Sequence, residues 1–68
     1  MFYTEIITDA QALFRYDTYP QAMEKYHNEL GYAYNQGIHI VAIVQNSHGA
    51  QMHYEEYVPE PAAEPEGE

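Results

Sequence analysis

The sequence predicts a small α+β domain in the order β-β-α-β-β. This is a four-stranded, mainly antiparallel sheet with one helix packed on one face, followed by a disordered acidic C-terminal tail. Three observations predict it. An amphipathic helical stripe with clear start and stop signals runs between residues 18 and 37. Paired β-rich segments joined by short links flank it on both sides. Past residue 57 large apolar residues almost cease, and proline and glutamate replace them. The expected organisation is one domain over 1–57 and a Pro/Glu-rich tail over 58–68.

Residues 2–8, FYTEIIT, alternate and are rich in β-branched and aromatic side chains, so they read as a strand. Asp9, Ala10 and Gln11 make a short loop, and 12–16, ALFRY, return as a second strand. That loop sets Thr8 opposite Ala12, Ile6 opposite Phe14 and Glu5 opposite Arg15, with opposite charges facing across the ladder. Phe2, Ile6 and Phe14 then share one face, and Ile7 and Leu13 the other.

Thr18 is a good helix N-cap, and Gln21 three residues on completes a capping box. Pro20 is tolerated in the first turn, where its missing N–H has no intrahelical partner. Tyr19, Met23, Tyr26, Leu30 and Ala33 form one helical stripe. Gly31 sits inside the helix at a cost of about 1 kcal/mol relative to alanine, which suggests close packing on the sheet. Gly37 can take the left-handed conformation that stops the helix.

Residues 38–45 then switch to strand. Ile38, Ile40, Ala42 and Val44 lie on one face, with Val41 and Ile43 on the other. A strand apolar on both faces is usually central. Asn46 to Gly49 reads as a turn with Gly49 in the left-handed position. Asn46 then pairs with Ala50, Val44 with Met52 and Ala42 with Tyr54. On this register Met52 and Tyr54 join the helix side of a last strand over 51–57. His39, His53 and Tyr57 flank Ile7, Leu13, Val41 and Ile43 on the outer face. One helix covers only one face, so this outer patch is expected to be an interface.

The bulk numbers restrict function more than they define it. A 68-residue chain buries only about 60% of its unfolded surface, so its core is marginal and a partner subunit is a common remedy. Cysteine is absent, which removes disulfides, thiolate ligands and a cysteine nucleophile. No apolar run is long enough to span a bilayer, and MFYTEIITDA lacks the pattern of a signal peptide. The expectation is a soluble, cytoplasmic protein.

Eleven acidic residues face only Arg15 and Lys25, for a net charge of −9. Glu60, Glu64, Glu66 and Glu68 belong to the tail, so residues 1–57 keep seven acids against two bases. This charge disfavours direct contact with nucleic acid and with anionic membranes. It suits a basic protein partner.

Candidate chemistry is sparse. His27, His39, His48 and His53 are scattered, with His39 and His53 about 13 Å apart along their strands at roughly 3.3 Å per residue, too far to share a zinc ion. Glu55 and Glu56 alternate faces and are no catalytic pair. Ser47 beside His48 in a turn lacks an orienting third group. So small a core leaves little room for a pocket of about 300 Å³ or more. The expectation is no enzyme, no cofactor and no metal.

Tyrosine is the compositional outlier, with eight residues in 68. Not all can be buried, and tyrosine is enriched at binding surfaces. The segment from Tyr26 to Ile38, YHNELGYAYNQGI, is similar to small uncharacterised proteins of bacterial genomes, phages and mobile elements. That resemblance implies no activity and gives no residue a role.

The expected function is a non-enzymatic protein–protein interaction module. It would present an acidic, tyrosine-rich surface to a basic, nucleic-acid-binding protein, as a phage or mobile-element inhibitor of anti-CRISPR or anti-restriction type does. Interface candidates are Glu29, Tyr32, Tyr34, Val41, Ile43, His53, Glu55 and Tyr57. The alternatives are a small homodimeric accessory protein, whose acidity serves solubility, and a histidine-based metal or small-ligand module.

Overall fold

Residues 1–59 are described by the structure, a computed structural model. From residue 60 on, the expected disordered tail lies outside the described residues. The chain runs β1 (Phe2–Ile7), β2 (Gln11–Tyr16), α1 (Tyr19–Gln36), β3 (Ile40–Asn46) and β4 (Gln51–Tyr57). The four strands form one sheet in the order β2-β1-β3-β4, every neighbouring pair antiparallel. The predicted class is the observed one, with β3 inside the sheet. The helix links β2 to β3 across β1, a split β-α-β arrangement.

Both ends of α1 follow their local signals. The Gln21 N–H donates to Thr18 Oγ1 at 3.4 Å, and the Thr18 N–H donates to Gln21 Oε1 at 3.3 Å, closing the capping box. Gly37 stops the helix at φ 68°, and the Ile38 N–H returns to the Ala33 carbonyl at 3.0 Å.

The core lies between α1 and the two inner strands. Ile6, Ile40, Ala42 and Val44 from the sheet meet Ala22, Tyr26, Leu30 and Ala33 from the helix. Ile40 and Val44 are essentially fully buried, each contributing about 1.5–3 kcal/mol. The fully buried Thr4 donates from Oγ1 to the Ala22 carbonyl at 2.8 Å, tying β1 to the first turns of the helix. Ala22 is small enough to allow that approach. The predicted stripe omits it, although it is fully buried.

Two registers need correction. In β1–β2 the loop is Thr8, Asp9 and Ala10, so Ile7 pairs with Gln11 and Glu5 faces Leu13 instead of Arg15. The predicted loop is displaced by one residue along the chain. Both strands therefore keep their faces, and the Glu5–Arg15 cross-strand pair is lost. Glu5 accepts instead from Gln11 Nε2 and, at 3.4 Å, from Gln45 Nε2.

The second correction matters for the site. The β3–β4 turn forms as expected: Asn46 N–H donates to the Ala50 carbonyl at 3.1 Å, and Gly49 has φ 85°. Asn46 Oδ1 also accepts from the His48 and Ala50 N–H groups. Gln45 then pairs with Gln51, but Val44 pairs with His53, leaving Met52 as one extra residue in β4. This bulge inverts the rest of the strand. His53, Glu55 and Tyr57 turn to the helix side, opposite Val44, Ala42 and Ile40, while Tyr54 and Glu56 oppose Ile43 and Val41 on the outer face. The placement of His53 and Tyr57 on the outer face, and of Met52 and Tyr54 against the helix, is therefore overturned. The reason is lateral. The helix packs chiefly on β1 and β3 and barely reaches β4, so burial bears on this edge strand only at His53 and Tyr57, which are partly buried on the helix side, and the apolar pattern of the strand does not announce it.

Candidate protein-binding surface

Because α1 stops short of the β4 edge, an open groove of about 450 Å³ runs between them. Met23, Tyr26, His27, Leu30, Gly31 and Tyr34 line it from the helix, and His53 and Glu55 from β4. The expectation of little room for a pocket concerns the core, and a volume of this size is found outside it. It arises from the uncovered edge of the sheet, not from a cavity in the core.

The groove side chains hold one another in place. Tyr34 Oη donates to Glu55 Oε2 at 2.9 Å. The Tyr34 ring meets Tyr57 edge-on at 4.7 Å between centroids. Tyr19 Oη and His53 Nε2 share a hydrogen bond of 2.5 Å, and the His53 ring lies 5.8 Å from Tyr26. The helix supplies Tyr26 and Tyr34 eight residues apart, with Gly31 between them. The bulge at Met52 brings His53, Glu55 and Tyr57 to the same side.

Gly31 is not where helix and sheet approach closely, contrary to expectation. A Cβ built there meets nothing within 4 Å, so its missing side chain leaves the groove wall open.

The charge in the groove is unbalanced. Glu55 receives a phenol hydrogen bond, but among the described residues no lysine or arginine pairs with it. Lys25 is engaged elsewhere, bonded to Glu29 at 2.7 Å and set over the Phe14 ring at 4.3 Å. Arg15 sits on β2, at the opposite edge of the sheet. Burial pushes the Tyr26 phenol up from its ordinary pKa, and the Glu55 charge adds to this. The Tyr34 phenol is also raised, chiefly because it donates to Glu55. Both phenols are thereby held protonated beside the carboxylate.

The eight interface candidates fall into three places. Tyr34, His53, Glu55 and Tyr57 gather at the groove. Glu29 and Tyr32 lie on a different flank, around a smaller depression near the β1–β2 turn with Asp9. Val41 and Ile43 occupy the outer face. Ile43 is only 7% exposed, so it is no free contact residue as it stands. The open apolar surface there comes from Leu13, 61% exposed, and Tyr54, 54% exposed. Across the sheet they form one row, Leu13–Glu5–Ile43–Tyr54. Gly31 and Tyr26 are groove residues that the sequence reading explains only as helix and core. The sole hint of a wider role is a glycine placed where alanine would suit the helix better.

Among the described residues no three His, Asp or Glu side chains gather as metal ligands. His39 Nε2 instead donates to the Glu56 carboxylate at 2.8 Å on the outer side. None of the residues lining the groove is a serine, threonine, cysteine or lysine nucleophile. No described helix is long and apolar enough to cross a membrane. No protein-family model, no curated protein and no solved structure matches this chain.

Proposed function

We propose that this chain is a non-enzymatic protein-binding module. It docks an acidic, tyrosine-rich surface on a basic, nucleic-acid-binding protein and acts in the cytoplasm of its host, as an inhibitor of anti-CRISPR or anti-restriction type would. One observation carries the reading: Tyr34, Tyr57 and Glu55 form a connected aromatic and acidic edge with no lysine or arginine of the described chain beside it. A chain with net charge −9 adds long-range attraction for a basic partner. The test is capture of a partner from host lysate at low and high salt, followed by competition with nucleic acid. Binding should fall at least about tenfold as salt screens the charges, and nucleic acid should displace the chain. Salt-insensitive capture, or capture unaffected by nucleic acid, refutes the mimic.

A second reading is favoured by the exposure of Leu13 and Tyr54 on the outer face. There the chain is a homodimeric accessory protein joined through that face. Light scattering of the purified protein separates the two, since only this reading requires a mass of two chains in the absence of a partner.

A further inference from the structure

We infer that the groove between α1 and β4 is a socket for one arginine side chain of a protein partner. The inference rests on the protein-binding reading and names the group that the surface would recognise. Three features of the groove converge on a guanidinium. Glu55 supplies a carboxylate whose Oε2 is occupied by the Tyr34 phenol, which leaves Oε1 to accept from an incoming N–H. That phenol is neutral, so the negative charge is oriented but not compensated. The chain's own cations are committed at Lys25 or stand across the sheet at Arg15.

Tyr34, 47% exposed, offers aromatic surface to a cation, while Tyr26 lines the same groove but is buried in the core and adds little open surface. Tyr57 buttresses Tyr34 edge-on, and the Glu55 bond holds its far end, so this surface is in place before anything binds. Gly31 leaves the wall between them without a side chain. A planar guanidinium both stacks on aromatic rings and donates in a fork to a carboxylate. A lysine ammonium is more strongly hydrated and does neither as well.

The test is an NMR titration of the 15N-labelled full chain with N-acetyl-arginine methylamide. Saturable shifts are expected at the amides of Gly31, Tyr34 and Glu55, with a dissociation constant on the order of millimolar. The lysine analogue and the Glu55→Gln variant should each bind about fivefold more weakly. Gly31→Leu should abolish the shifts by filling the groove while the chain stays folded by circular dichroism. Equal shifts with N-acetyl-norleucine methylamide would show an apolar pocket and overturn the inference. Unsaturable shifts spread over all surface acids would overturn it too. Partner capture undiminished by Glu55→Gln keeps the protein-binding reading and refutes the socket. Binding of the arginine amide without capture of any basic partner keeps the socket and refutes that reading.

Discussion

Gly31→Ala tests both the helix and the groove beside it. Gly31 lies inside α1, and among the described residues positive φ occurs only at Gly37 and Gly49. An alanine at residue 31 therefore meets no backbone strain. Its Cβ has nothing within 4 Å, so it gains no packing and suffers no clash. What remains is the conformational entropy that glycine loses on entering a helix, about 0.5–1 kcal/mol relative to alanine. For a domain of this size, 1 kcal/mol moves Tm by about 4–8 °C, so the expected rise is roughly 2–8 °C. Circular dichroism at 222 nm during a thermal ramp measures it. Gly37→Ala is the matched control. At φ 68° an alanine pays about 1–2 kcal/mol of left-handed strain, so Tm should fall. A fall in Tm for Gly31→Ala would refute the reasoning, because it would mean that the β4 edge closes over the helix at that point.

Three further outcomes follow from the same geometry. Thr4→Val preserves shape but removes the Thr4–Ala22 hydrogen bond, and should cost about 1–2 kcal/mol in urea unfolding; an unchanged midpoint would show the bond to be idle. Ile43→Asp buries a charge and should cost about 3 kcal/mol or more, whereas Leu13→Asp, on an exposed edge position, should stay within about 0.5 kcal/mol. Leu13→Asp is therefore the clean probe of a homodimer, and a drop in light-scattering mass on that substitution would establish the outer face as the contact. Folding stability should also decline as pH rises past about 10. The Tyr26 and Tyr34 pKa values are raised in the folded state, so the unfolded chain loses those protons first. Urea midpoints across that range should slope downward, less steeply in Tyr34→Phe; a flat or rising profile in the parent chain would contradict the Tyr34–Glu55 contact.

Much of the fold is legible because its signals act over a few residues. Thr18 and Gln21 cap the helix through their own backbone neighbours, and Gly37 and Gly49 take the conformations that glycine alone adopts cheaply. The alternation of Phe2, Ile6, Phe14, Ile40 and Val44 assigns β1, β2 and β3 to their faces even though the β1–β2 pairing is displaced. That displacement is silent in the burial pattern, because moving the loop by one residue keeps every side chain on its own face.

The groove was not legible in the same way. His53, Glu55 and Tyr57 can be listed as candidate contacts from residue type, but the side of the sheet they face depends on one extra residue, Met52. An edge strand with alternating polar and aromatic residues has no apolar pattern strong enough to declare its parity. Gly31 likewise reads as a defect in a helix until the helix is seen to stop short of β4.

The sequence by itself determined the elements, their order and the faces of the first three strands, since caps, turns and apolar periodicity are local properties of the chain. Only the tertiary structure decided where the helix lies across the sheet and, with it, what β4 presents. Ala22 seats the helix on Thr4 over the inner strands, which leaves the β4 edge free to bulge. The bulge at Met52 turns Glu55 and Tyr57 to the helix side, where Tyr57 packs against the core, and so Tyr34, Glu55 and Tyr57 meet.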